Sequence, residues 1–134
     1  MSKQLDRLNR RMNAIPKAVR MAVLPALHTG AEEIMDAQER LAPVDDGALK
    51  RSIRTEPGRH ELAIAITAGG PLTTRPVRDG VSTTYDYALA QEHGTADMPA
   101  NPFFFPGFRL ARKRAQARVK RAIGKAVRSA WKGV

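Results

Sequence analysis

The sequence predicts an α+β protein with a long N-terminal helix, a small antiparallel sheet with a mobile hairpin arm, and a basic C-terminal helix. Apolar residues recur at three- and four-residue steps near both ends of the chain, whereas a short central segment alternates. A chain of 134 residues is expected to form a single domain. We divide it into a helical part over 1–42, a mixed strand and turn core over 43–107, and a basic helix over 108–134.

The N-terminal segment is predicted to be helical and amphipathic, because apolar residues recur at helical spacing over residues 5–41. Ser2 is placed to cap the first turn. Pro16 and Pro25 each lack a backbone donor. The pattern therefore predicts a short helix before Pro16 and a longer one that ends near Leu41.

The centre of the chain contains turns and one clear strand pattern. Residues 45–47 (Asp-Asp-Gly) form a predicted turn, in which an aspartate caps a short helix over residues 48–53. Alternating apolar residues predict a half-buried strand within residues 60–68. Residues 71–84 have no clear period, and Asp79-Gly80 favours a hairpin turn, so this stretch is predicted to be a mobile arm.

The segment after the arm returns to helix. Tyr87–His93 is a predicted short helix closed by Gly94, and we expect positive φ angles at both Gly94 and Gly47. Three prolines between residues 99 and 106 predict an extended stretch. Helical spacing then returns over residues 108–130, with a stripe of mostly alanine side chains.

The positive charge is concentrated at the C-terminus. Residues 1–108 contain thirteen Lys/Arg and thirteen Asp/Glu, whereas residues 109–134 contain ten Lys/Arg and no acidic residue. Such an end is expected to meet an anion, which can be phosphate, an acidic protein surface or membrane lipid, although an Arg-rich composition alone would also give a solvated basic face. The candidate contact residues opposite the alanine stripe are Arg114, Arg118, Arg121, Lys125 and Arg128.

No catalytic pattern stands out, so we expect no enzymatic activity, no cofactor and no metal. The chain lacks cysteine, its three histidines have no metal-ligand spacing, and no phosphate loop or nucleophile elbow is present. The apolar run Met21–Leu27 is too short to cross a bilayer, and no membrane partner is expected.

All four phenylalanines fall within residues 103–108. A cluster of this kind can fill the core of its own chain or contact another subunit. Adjacent side chains in an extended segment point in opposite directions, so not all of them can face one core. We predict that Phe104 and Phe105 contact a subunit or partner.

Three segments resemble a known family: APVDDGALKRSI (42–53), YALAQEHGT (87–95) and PANPFFFPGF (99–108). They are similar to the small neck or tail-completion proteins of long-tailed bacteriophages and related gene-transfer particles, the gene-product-ten-like head–tail connectors. The matching positions are Pro43, Gly47, Leu49, Ser52, Ile53, Tyr87, Ala88, Glu92, Gly94, Thr95, Pro102, Phe103 and Pro106.

The resemblance implies a structural virion protein at the head–tail junction, acting in the neck, in tail completion or as a tail terminator. It further implies a ring of copies, most often six, around a channel that DNA crosses without sequence-specific contact. The implied partners are further copies, neighbouring connector proteins and tail proteins. The implied location is the virion, and the host cytoplasm before assembly.

Two other functions stay open on the residues alone. One is a small basic nucleic-acid-binding protein that acts outside a particle. The other is a regulatory module whose basic helix binds an acidic partner.

Overall fold

The computed structural model describes residues 2–44, 47–78, 80 and 82–133. Its α-helices are α1 (Lys3–Leu41), α2 (Ala48–Ser52), α3 (Tyr87–His93) and α4 (Phe104–Lys132), and a 3₁₀ helix spans Pro71–Thr73. Strand β1 (Arg54–Pro57) pairs antiparallel with β2 (Ile64–Thr67), and β3 (Thr74–Pro76) pairs antiparallel with β4 (Thr84–Asp86). This α+β arrangement confirms the fold class and the long helix at each end.

Helix α1 is continuous, so the predicted break at Pro16 is wrong. The helix contains both Pro16 and Pro25, and the Ser2 hydroxyl caps its first turn by accepting a hydrogen bond from the Leu5 N–H at 3.1 Å. Both prolines are exposed. Water can therefore bond the carbonyl oxygens that the prolines leave without a donor, while packing against α4 holds the helix together.

Helix α4 begins at Phe104, four residues earlier than the predicted start at residue 108. Pro106 was predicted to lie in an extended segment. Proline is tolerated in the first turn of a helix, however, because its missing N–H would have no helical partner there. The first helical bond runs from the Gly107 N–H to the Phe103 carbonyl at 3.1 Å.

Helices α1 and α4 pack against each other in antiparallel directions and at close range. A Cβ atom added to Gly107 would lie 2.6 Å from the Cα of Gln38, and one added to Gly30 would lie 3.1 Å from the Cβ of Ala115. Gln38 is buried and donates its side-chain Nε2–H to the Phe104 carbonyl at 3.0 Å. Small residues at both crossing points therefore set the separation of the two helices.

The short elements cover one end of this helix pair. A buried cluster joins α2, α3 and the start of α4, and its members are Ala42, Leu49, Ile53, Ala88 and Phe103. Gly47 occupies the N-cap position of α2 with φ of 80°. The aspartate cap predicted for α2 involves Asp45 or Asp46, which lie outside the described residues.

The sheet region differs from the sequence prediction in detail. The strand predicted within residues 60–68 covers only Ile64–Thr67, and its partner β1 was not predicted. The β1 residues are all exposed and show no apolar alternation, which explains the omission. The arm predicted over residues 71–84 begins with the 3₁₀ helix Pro71–Thr73, in which Thr73 is buried, and continues through β3 to the start of β4. Its turn residue Asp79 lies outside the described residues, and the mobility of the arm stays a prediction.

Within the described part of the chain, no helix is both long enough and apolar enough to cross a membrane.

The helix crossing leads to a test with opposite outcomes at two glycines of α4. Gly107→Ala should destabilise the protein by about 1–3 kcal/mol, because the new methyl group meets the Gln38 backbone. Gly124→Ala should stabilise it by about 0.5–1 kcal/mol, because its nearest neighbour is the flexible tip of Arg128 and alanine favours helix. Thermal unfolding of both variants measures the change in stability that each substitution causes. The same change in both variants would contradict the close approach of α1 and α4 at Gly107.

Candidate functional site

The N-terminus of α4 is capped by a carboxylate from α3. Glu92 Oε2 accepts hydrogen bonds from the N–H groups of Phe103 and Phe104, both at 2.9 Å, and its Oε1 accepts from the Phe105 N–H at 3.0 Å. Pro106, the next residue, has no N–H. One side chain therefore satisfies the free donors at the start of α4 and places a negative charge at the positive end of its dipole.

The same hydrogen bonds shift the titration of Glu92. Partial burial alone would raise the pKa of its carboxyl, but the three backbone hydrogen bonds outweigh burial and hold the pKa below its ordinary value. Glu92 thus stays ionised at neutral pH and serves as a structural anchor.

A second carboxylate, Asp86, fixes the other end of α3. Its Oδ1 accepts from the Thr73 hydroxyl at 2.5 Å and from the Ala88 N–H at 2.9 Å, and its Oδ2 accepts from the Gly70 N–H at 2.9 Å. Burial raises the pKa of Asp86, and these hydrogen bonds lower it by more. Asp86 therefore joins α3 to the turn that follows β2.

Most positions of the resemblance motif serve the framework. Leu49, Ile53, Ala88 and Phe103 are buried in the central cluster. The buried Ser52 hydroxyl donates to the Leu49 carbonyl at 2.6 Å and accepts from the Gly69 N–H at 3.1 Å.

The remaining motif positions shape turns or border the framework. Gly94 has a φ of 79°, so the positive φ angles expected at Gly94 and Gly47 are confirmed. The Thr95 N–H donates to the Met98 carbonyl at 2.8 Å. Four more positions are at least partly exposed beside these turns or helix ends: Pro43, Tyr87, Pro102 and Pro106.

The clustered phenylalanines divide between core and surface. Phe103 is buried, Phe104 is half-buried against the central cluster, and Phe105 is 49% exposed. The Phe104 and Phe105 rings meet edge to face with centroids 5.3 Å apart. Phe105 is therefore the residue of the predicted contact pair that is available to a partner, whereas Phe104 also supports the fold.

Phe105 lies on an open apolar groove between α1, β2 and α4. The groove has a volume of about 650 Å³. Its apolar lining includes Leu27, Ile34, Ile64, Ile66, Phe105 and Phe108. Arg112 and Lys120 line it as well. An open apolar groove that also carries basic residues is a candidate surface for binding a neighbouring protein.

The predicted basic contact residues have two environments. The Arg118 guanidinium is bonded to Glu33 of α1, and both side chains are partly buried. Its charge is therefore already compensated inside the chain. The other four candidates, Arg114, Arg121, Lys125 and Arg128, are exposed.

The fold adds a second source of positive charge that sequence reasoning missed. Residues 3–20 of α1 contain six Lys/Arg and one Asp, and antiparallel packing places them beside the basic end of α4. The Arg11 guanidinium lies 5.0 Å from the centroid of the Trp131 ring, which links the two ends. Counting charge over residues 1–20 separately would have found this set, but only the helix pairing joins it to α4.

The described residues contain no group of histidine or acidic side chains that could hold a metal ion.

A family model described as bacteriophage HK97-gp10-like tail component matches residues 6–94, which is more than half of the chain. The matched region runs from α1 through α3. No curated protein and no solved structure matches the chain.

The Glu92 cap yields a pH-dependent test. Glu92→Gln should lower the free energy of unfolding by about 1 kcal/mol at pH 7, because an amide replaces a charged acceptor of three N–H groups. The pKa is lower in the folded state, so this stabilisation is present above the ordinary glutamate pKa and is lost as the pH falls through the lowered value. The difference in free energy of unfolding between wild type and Glu92→Gln should therefore disappear as the pH falls below the lowered pKa of Glu92.

Glu61→Gln is the matched control, because Glu61 forms only an exposed ion pair with Arg20 at 3.5 Å. Its effect should be small at every pH. A Glu92→Gln gap that stays constant down to pH 2 would contradict the charged cap.

Proposed function

Because the chain belongs to the HK97-gp10-like family of bacteriophage tail components, we propose that it is a non-catalytic structural protein of the head–tail junction. In this role it acts in the neck, in tail completion or as a tail terminator. Membership of this family of bacteriophage tail components supports a location in the virion and contact with other tail and head proteins.

The observation that carries this proposal is the open apolar groove with Phe105 at its edge. Exposed apolar side chains such as Phe105 are stabilised when a neighbour covers them and excludes water. The basic side chains Arg112 and Lys120 at the groove favour a neighbour with acidic residues beside its apolar ones. The groove is thus suited to a junction in which the chain is held between other proteins.

We further propose that copies form a ring, hexameric as the family resemblance implies, around a DNA channel. The shared basic end of α1 and α4 supports this arrangement, because phosphate contacts hold DNA without reading its sequence. Arg7 and Arg10 are exposed there.

A second function, DNA binding outside a particle, is favoured by the same basic end. It differs in a measurable way, because it needs neither the apolar groove nor incorporation into particles. A free DNA-binding protein would bind as isolated subunits with a steep dependence on salt.

The groove can be tested with one exposed residue. Phe105→Ser should leave the thermal unfolding temperature within a few degrees of wild type, because about half of the ring already faces water. It should sharply reduce the amount of protein in purified particles, measured by quantitative mass spectrometry. Leu89→Ser is the matched control, because Leu89 of α3 is 64% exposed and lies away from the groove.

Incorporation of Phe105→Ser at the wild-type level would contradict the groove as a junction contact. Phe104→Ser is a poorer probe, since Phe104 packs on the buried cluster and its loss would destabilise the fold as well.

The basic end can be tested separately. Arg7→Glu with Arg10→Glu should preserve the fold, because both side chains are exposed, but should lower the yield of particles that retain DNA. Nuclease-protected DNA per particle is the measurement. The control is Arg59→Glu, an exposed cation beside the β1–β2 turn. Equal DNA retention in both variants would contradict a DNA-facing role for this end.

A further inference from the structure

Two strips of opposite charge, exposed except for the half-buried Glu39, have the same helical spacing. The acidic strip on α1 consists of Glu32, Asp36 and Glu39, and the basic strip on α4 consists of Arg121, Lys125 and Arg128. Each strip has its residues at positions i, i+4 and i+7, which places them on one face of a helix. Among the described residues, none of the three acidic side chains takes part in an ion pair.

The two strips cannot meet within one chain. Gln38 lies across from Gly107, and Gly30 lies across from Ala115. Continuing this antiparallel alignment by the helical rise places Asp36 and Lys125 roughly 24 Å apart along the helix axes. The acidic strip also faces away from α4, because the α1 residues that contact α4 lie on the opposite side of the helix. Only another molecule can therefore bring the strips together.

A second observation supports one particular alignment of the acidic strip with the basic strip of another copy. An offset of 89 residues aligns Glu32 with Arg121 and also aligns Met21 with Leu110. Met21 is 69% exposed and Leu110 is 73% exposed, and each is the most exposed large apolar side chain of its helix. Met21 falls on the face of the acidic strip, and Leu110 falls on the face of the basic strip. One alignment thus pairs three opposite charges and the two apolar residues.

We propose that the outer face of α1 in one copy packs parallel to α4 of the next copy. The pairs are Glu32 with Arg121, Asp36 with Lys125, Glu39 with Arg128, and Met21 with Leu110. This inference rests on the proposed assembly of copies and names the surfaces that join them. The two surfaces are different, so the contact is heterologous and propagates from copy to copy, as a closed ring requires.

This contact does not use the cations near the start of α1. Arg118 lies beside the basic strip but is already bonded to Glu33 of its own chain. The exposed cations near the start of α1 lie outside the aligned residues and can face DNA. Since five of the six paired charges are exposed, the contact weakens as salt concentration rises.

Charge reversal and exchange test the contact in the full-length protein. Acidic-strip reversal (Glu32→Lys, Asp36→Lys, Glu39→Lys) and basic-strip reversal (Arg121→Glu, Lys125→Glu, Arg128→Glu) should each weaken self-association about tenfold or more in sedimentation velocity. The variant with both strips reversed should regain the wild-type association. A basic strip that faced DNA would give no such rescue, and lack of rescue overturns the proposal.

A cysteine pair tests the register even if association is weak, because the wild-type chain has no cysteine. Asp36→Cys with Lys125→Cys, oxidised at high protein concentration, should give a ladder of disulfide-linked dimers, trimers and larger species. The control Asp36→Cys with Lys113→Cys, which places the second thiol on another face of α4, should not. Absence of the ladder overturns the proposed contact.

These assays require no particle. A chain that forms the ladder but is absent from particles would contradict the proposed function alone, whereas a chain that enters particles without forming the ladder would contradict this contact alone.

Discussion

The close crossing of α1 and α4 at Gly107 and Gln38 is the constraint on which the rest of the structure depends. No side chain separates the helix backbones there, so α4 packs directly on the buried Gln38. Glu92 fixes where α4 begins, by accepting the three free N–H groups of its first turn. The position and direction of α4 then determine both the apolar groove and the basic end that it shares with α1.

The framework and the candidate contact surfaces use different residues. Most resemblance motif positions lie in the buried cluster, in turns with positive φ, or in the cap of α4. The groove and the charged strips instead consist of residues such as Phe105, Ile64 and Lys125, which are not among the matching positions. The matching positions therefore serve the fold, whereas the exposed residues are the candidates for contact with neighbouring chains.

Local patterns predicted the parts of the fold that depend on local physics. The Ser2 cap, helix α3 and the positive φ of Gly94 each follow from a few adjacent residues. The prediction was wrong at Pro16, where packing against α4 outweighs the loss of one helical bond. Strand β1 was not predicted, because all its side chains are exposed and show no apolar alternation. Its extended conformation depends on pairing with β2.

The site was harder to predict because it is built from distant segments. The clustering of phenylalanines indicated a contact, but only the fold separates the exposed Phe105 from the half-buried Phe104 and the buried Phe103. The sequence does not distinguish Arg118 from the other basic residues of α4, because its ion-pair partner Glu33 lies on α1. The basic residues at the start of α1 join those at the end of α4 only because the two helices pack antiparallel, and the sequence does not show this packing.

The central claim is that this chain is a structural component of the head–tail junction, and a cryo-electron microscopy reconstruction of the intact particle tests it most directly. At a resolution that separates helices, the account predicts a ring of copies at the junction, with α1 and α4 of each copy beside neighbouring chains and the shared basic end towards the channel. A junction reconstructed in full from other proteins, with no density that fits the α1–α4 pair, would contradict the account.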